Sequence, residues 1–168
     1  IYGGAGNDTI ILRGGSSAYG EEGDDIFIAY SGVCYGGIGN DTITRYGGSG
    51  VSYGGEGDDV FNIYSSNAKY FGEEGNDTFN IIGSLSGIVI DGGSGTNNVT
   101  GEVGSNTTIN VVGANSGSVS LVSGEEQSVM INGINYTVST PSSAATVIYR
   151  INDSGQISFS VNTGSVII

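Results

Sequence analysis

Six glycine-rich segments recur every 16 to 20 residues and align without gaps, and this period constrains the fold more than any other property of the chain. Missing such a repeat would misassign the whole architecture. The segments are Gly3-Gly4-Ala5-Gly6-Asn7-Asp8, Gly20-Glu21-Glu22-Gly23-Asp24-Asp25 and Gly36-Gly37-Ile38-Gly39-Asn40-Asp41. They continue as Gly54-Gly55-Glu56-Gly57-Asp58-Asp59, Gly72-Glu73-Glu74-Gly75-Asn76-Asp77 and Gly92-Gly93-Ser94-Gly95-Thr96-Asn97. An apolar residue follows two places after the sixth position each time: Ile10, Phe27, Ile43, Phe61, Phe79 and Val99. Of the 32 glycines, 24 lie in residues 1–97, so the bias belongs to this segment. No Gly-X-Y register runs through it, which excludes collagen.

Clustered glycines let a backbone turn tightly and aim several carbonyls at one point. The sixth-position carboxylate adds a hard anionic oxygen. Carbonyl and carboxylate oxygens together suit Ca²⁺, which takes six to eight such ligands, better than the smaller, stricter Mg²⁺. A short run with period-two alternation follows each loop, as in Val60-Phe61-Asn62-Ile63 and Thr78-Phe79-Asn80-Ile81, and reads as a strand. Each unit of about 18 residues therefore reads as loop, strand, loop, strand.

These segments match the pattern G-G-x-G-x-D-x-U-x, and over residues 1 to about 99 the chain resembles the RTX, or haemolysin-type, calcium-binding repeat family. The resemblance implies an all-β, right-handed parallel β-roll (a β-solenoid) for residues 1–99. It implies calcium held between stacked loops by glycine carbonyls and by Asp8, Asp25, Asp41, Asp59 and Asp77, with Asn97 at the degenerate sixth place. The candidate metal residues are accordingly Gly3, Gly4, Gly6, Gly20, Glu21, Gly23, Gly36, Gly37, Gly39, Gly54, Gly55, Gly57, Gly72, Glu73, Gly75, Gly92, Gly93, Gly95 and these six side chains. Six loops in one column enclose up to about five Ca²⁺ ions. Relatives bind calcium along both edges of the roll, but here the opposite loops, such as Tyr30-Ser31-Gly32 and Tyr64-Ser65-Ser66-Asn67, carry no acid. That edge is expected to be metal-free. The resemblance also implies a secreted or cell-surface protein, unfolded where calcium is scarce and folded outside the cell.

Charge points the same way. The chain has 17 acidic and four basic residues, a formal net charge of −13. Such a surface repels phosphate backbones and anionic lipids, so nucleic acid and membrane insertion are not expected. Divalent cations are. With no histidine, the chain has no Ser-His-Asp or Cys-His machinery and no His-based zinc site. Cys34 is the single cysteine, so no internal disulfide forms. No apolar run approaches the roughly 20 residues of a membrane helix. Adjacent carboxylates a few ångströms apart repel by about 3 kcal/mol per pair at 5 Å and an effective dielectric near 20. Calcium would reverse that sign, so its binding free energy becomes folding free energy.

Aromatic residues recur once per turn. Tyr2, Tyr19, Tyr35, Tyr53 and Phe71 precede the loops, and Tyr30, Tyr46 and Tyr64 follow the strands. In-register strands stack like residues into ladders that stabilise the sheet; the alternative is a platform for a neutral sugar. Which of Tyr35 and Cys34 faces inward stays open, as does the parity of Tyr53 and Ser52. Asp24-Asp25 and Asp58-Asp59 are adjacent carboxylates, but neighbours on an extended chain point opposite ways, which disfavours paired acid–base catalysis. Glu21, Glu22, Glu56, Glu73 and Glu74 read as attracting calcium electrostatically or as plain solvated charge, with direct ligation the alternative.

After about residue 99 the period vanishes. Residues 100–168 read as a smaller β-rich cap with hairpins, one at Asn132-Gly133 and another at Asn152-Asp153-Ser154-Gly155. A solenoid needs such a cap over its last turn. The functional expectation is a non-catalytic calcium-binding repeat module of a larger protein, since Ile1 opens inside the glycine pattern. The alternatives are an adhesive or carbohydrate-binding module reaching a polysaccharide or cell-surface ligand, or an accessory module of a secreted enzyme.

Overall fold

The computed structural model describes residues 1–103, 107–110, 116–121, 126–131, 134–139, 145–151, 157–161 and 165–167, with side chains within residues 1–101 except Ser84. All described secondary structure is β. The strands are β1 (Tyr2–Ala5), β2 (Thr9–Leu12), β3 (Ser17–Glu22), β4 (Ile26–Ala29), β5 (Val33–Ile38), β6 (Thr42–Arg45) and β7 (Val51–Glu56). Next come β8 (Val60–Ile63), β9 (Lys69–Glu74), β10 (Thr78–Leu85), β11 (Val89–Asp91), β12 (Asn98–Val103) and β13 (Thr107–Asn110). Last are β14 (Ser116–Leu121), β15 (Glu126–Ile131), β16 (Ile134–Ser139), β17 (Ala145–Ile151), β18 (Ile157–Val161) and β19 (Ser165–Ile167).

Strands alternate between two sheets. One runs β1-β3-β5-β7-β9-β11-β13-β15-β16-β19 and the other β18-β17-β14-β12-β10-β8-β6-β4-β2. Pairing is parallel from β1 to β15 in the first sheet and from β2 to β14 in the second. The chain is thus a parallel β-solenoid of about six turns, as the period predicts. The end expected to be capped is built from antiparallel pairs: β15 with β16, β16 with β19, β14 with β17 and β17 with β18. Ile131 lies opposite Ile134 and Ile151 opposite Ile157, so the two expected hairpins join the strands they were read to join.

One feature outruns the sequence pattern. The glycine period stops near residue 99, yet parallel pairing continues through β14 and β15. Backbone ladders need only extended chain in register, whereas the glycine signature reports on one loop of each turn.

Alternation places the core between the sheets. Ile10, Phe27, Ile43, Phe61, Phe79 and Val99 form one buried column, and Ala18, Cys34, Ser52, Tyr70 and Ile90 another. Parity is therefore settled: Cys34 and Ser52 face inward, and Tyr35 and Tyr53 outward. Phe61 stacks on Phe79 with ring centroids 4.7 Å apart and meets Tyr70 edge-on.

Arg45 also lies in the core and is fully buried, at the place held by Leu12, Ala29 and Ile63 in neighbouring turns. Its Nε and Nη2 donate to Ser52 Oγ, and Nη2 also reaches Val51 O at 3.0 Å and Gly32 O at 3.2 Å. A β-carbon on Gly50 would overlap Nη1, so the opposite loop yields a glycine where the guanidinium passes. Arginine reads as surface by charge alone. Only its parity with buried Ile43 marked it as internal.

Candidate metal centre

Each glycine-rich loop links a strand of the first sheet to a strand of the second, so parallel pairing lays the six loops in one column along an edge of the solenoid. Strand spacing fixes the rise between loops at about 4.8 Å. Within a loop, the first-position glycines Gly20, Gly36, Gly54 and Gly72 are buried and continue the inward-facing parity of Cys34 and Ser52. The chain then turns and returns the sixth-position side chain to the same inward point.

That point has a repeated composition. An ideal β-carbon on Gly20 would overlap Asp25 Oδ2 and lie against Gly36 O. Gly36 meets Asp41 Oδ2 and Gly54 O, Gly54 meets Asp59 Oδ2 and Gly72 O, and Gly72 meets Asp77 Oδ2 and Gly92 O. Gly3 opens the series with Asp8 Oδ2 at 2.7 Å and Gly20 O at 2.9 Å. At five levels, then, one carboxylate oxygen and one carbonyl of the next loop converge where any side chain would intrude.

The two oxygens of the Asp25, Asp41, Asp59 and Asp77 carboxylates have different fates. Oδ1 accepts the backbone N–H of the preceding loop's aspartate: Asp8 to Asp25, Asp25 to Asp41 and Asp41 to Asp59, each at 2.7 Å, and Asp59 to Asp77 at 3.0 Å. Oδ2 of Asp8, Asp25, Asp41, Asp59 and Asp77 is buried and has no hydrogen-bond partner. A buried anionic oxygen left unpaired costs far more than a satisfied one gains. Burial accordingly pushes the Asp59 carboxyl up to about 8, against the stabilising N–H of Asp41, with the charges of Asp41, Asp77 and Asp58 adding to the rise. Burial likewise lifts Asp41 and Asp77 to about 6.

Five orphaned oxygens facing five carbonyls, with hard oxygen donors throughout, fit a column of hard cations. Among the described residues no three His, Cys, Asp or Glu side chains converge on one point. What each level repeats is one buried carboxylate oxygen and one backbone carbonyl.

The remaining predicted positions serve the turn. Gly6, Gly23, Gly39, Gly57, Gly75 and Gly95 hold φ between 86° and 136°, and Gly4, Gly37, Gly55 and Gly93 between 72° and 123°. Glu21 and Glu73 adopt the same left-handed conformation as non-glycine residues, at φ 83° and 78°. Their side chains stand on the exposed outer face, which agrees with long-range attraction of cations.

The fifth position carries a ladder that the sequence reading missed. Asn7, Asp24, Asn40, Asp58 and Asn76 each accept, through Oδ1, the fifth-position N–H of the following loop at 2.8–3.1 Å. Asp24 and Asp58 are thus exposed while Asp25 and Asp59 are buried, and the adjacent carboxylates do not act as pairs. The available signal was the Asn/Asp alternation at that place over the first five loops.

The aromatic columns are continuous stacks. Tyr2, Tyr19, Tyr35, Tyr53 and Phe71 lie 4.8–5.0 Å apart with interplanar angles of 2–14°. Tyr30, Tyr46 and Tyr64 form a second stack, with Arg13 over Tyr30. Interior rings spend their faces on one another, which supports the ladder reading over a sugar platform.

No protein-family model, curated protein or solved structure matches the chain.

Proposed function

We propose that this chain is a non-catalytic calcium-binding repeat module of the RTX type, belonging to an extracellular or cell-surface protein, and that cation binding completes its fold. The observation that carries this reading is the column of buried Oδ2 atoms without a hydrogen-bond partner on Asp8, Asp25, Asp41, Asp59 and Asp77, each beside a carbonyl of the next loop. Those five carboxylates and the carbonyls of Gly20, Gly36, Gly54, Gly72 and Gly92 would hold the ions. Bound calcium would supply the positive charge that the buried carboxylates lack. The protein's own contribution is geometric. First-position glycines leave the space, second- and fourth-position residues turn the chain, and the Oδ1 hydrogen bonds orient the carboxylates of Asp25, Asp41, Asp59 and Asp77.

Calcium is favoured over magnesium because carbonyl-rich, flexible loops suit a larger ion of variable coordination number. Far-UV circular dichroism of an EDTA-treated sample, titrated with calcium and separately with magnesium, tests the proposal. A cooperative gain of β-signal at about 0.1–1 mM calcium, absent with magnesium, is expected. A chain whose β-signal is already complete in EDTA and unmoved by calcium would contradict it.

A further inference from the structure

The edge opposite the aspartate column is closed by different means, and a buried cation stands in it. The loops there, at residues 13–16, 30–32, 46–50 and 64–67, carry no acidic side chain. They stack through the backbone: the N–H of Val33 donates to Ser16 O, that of Val51 to Gly32 O and that of Lys69 to Gly50 O. Arg45 enters this stack from the end of β6. Its Nη2 lies 3.2 Å from Gly32 O, in one loop, and 3.0 Å from Val51 O, at the exit of the next. One nitrogen thus spans carbonyls of two consecutive turns, while Ser52 Oγ holds the guanidinium plane through Nε and Nη2. Among the described residues, none of its hydrogen-bond partners is a carboxylate.

The space is built as on the aspartate edge. There, a β-carbon on a first-position glycine would meet an aspartate oxygen and a carbonyl of the next loop. Here, a β-carbon on Gly50 would overlap Arg45 Nη1 and Gly32 O, a carbonyl of the loop before. Glycine, carbonyl and charged group recur with the sign of the charge reversed. One turn earlier a β-carbon on Gly32 would meet Ser16 O, Gly14 O and Leu12 Cδ2, so the side chain at that place is apolar.

We propose that Arg45 is the resident cation of this second edge. Its guanidinium joins backbone carbonyls of two successive loops, the task calcium would have on the first edge, and holds them without a metal. The comparison with calcium rests on the functional reading; the bridge itself does not.

Burying the guanidinium has a cost, since Nη1 has no hydrogen-bond partner. An apolar residue relieves that cost and can leave global stability unchanged, so local opening is the direct readout. Hydrogen exchange of the full chain at saturating calcium, followed by mass spectrometry of proteolytic fragments, compares the parent with Arg45→Leu. Leucine is the residue that Leu12 supplies in the same column. Exchange across residues 46–53 is expected to be about tenfold faster in the variant, as for loss of one charge-assisted hydrogen bond. Residues 72–77, on the aspartate edge, should keep the parent rate. Arg45→Lys keeps the charge but loses the fork and should accelerate the same residues, so the test stands if the leucine variant does not fold. Parent-like exchange across 46–53 in either variant, or equal acceleration across 72–77, would overturn the proposal. If native mass spectrometry shows that the parent takes up no calcium, the functional reading fails, and the same comparison made in EDTA still decides the bridge.

Discussion

At the scale of single residues, the same loop position is met by different chemistry in different turns. Four loops place glycine at the second position, whereas Glu21 and Glu73 take φ near 80° there, a conformation that costs an L-residue about 1 kcal/mol or more. Replacing either with glycine should leave the turn unchanged and relieve that cost, offset in part by the freedom glycine gains when unfolded. Chemical denaturation at fixed saturating calcium should show Glu73→Gly to be at least as stable as the parent. A loss above about 1 kcal/mol would mean that the side chain itself holds the loop. The repeat made the aspartates legible because one residue type recurs at one spacing. It did not reveal which oxygen would be satisfied, since that depends on the register between loops. Arg45 was hidden for a similar reason: only an assigned strand parity tells a buried guanidinium from a solvated one.

At the scale of elements, each loop is bound to its neighbours by hydrogen bonds that hold the carboxylates close together. Without calcium the protonated acid relieves the crowding. Asp59, raised to about 8, and Asp41 and Asp77, raised to about 6, bind protons more tightly in the folded stack than in the open chain, whose carboxylates titrate near 4. The folded state thus holds more protons between about pH 4 and 8. Its stability is fully present below that window and is lost as pH rises through it. In EDTA, the β-signal should therefore grow as pH falls from 8 to 5, and saturating calcium should flatten the profile. A calcium-free chain more structured at pH 8 than at pH 5 would contradict this assignment of the buried carboxyls. Loop and strand boundaries in the first hundred residues were legible because two periods, 18 and two, coincide there. Beyond residue 99 the loop period is gone, and with it the sign that β12 to β15 still pair in parallel.

At the scale of the whole molecule, the acids are concentrated rather than spread: residues 1–97 hold 13 acidic and three basic side chains. The mutual repulsion of exposed Glu21, Glu22, Asp24, Glu56, Asp58, Glu73 and Glu74 is open to screening by salt, whereas the buried column is shielded from it. Raising monovalent salt from about 10 mM to about 500 mM should therefore recover only part of the calcium-induced β-signal in EDTA, because the Debye length shrinks from roughly 30 Å to a few ångströms without filling the orphaned sites. Complete recovery by sodium chloride alone would mean that general screening, and no specific cation site, sets the fold.

The two polar ladders also have a mechanical consequence. Sixth-position bonds run from each loop's N–H to the carboxylate of the loop after it, while fifth-position bonds run back to the loop before. Neighbouring turns are therefore fastened by a pair of links of opposite sense, repeated at each step, and no turn leans on a distant one. Under tension applied at its ends, a stack of this kind yields as a ratchet, coil by coil. Each released turn of about 18 residues pays out roughly 60 Å of chain, while the turns still engaged keep their grip.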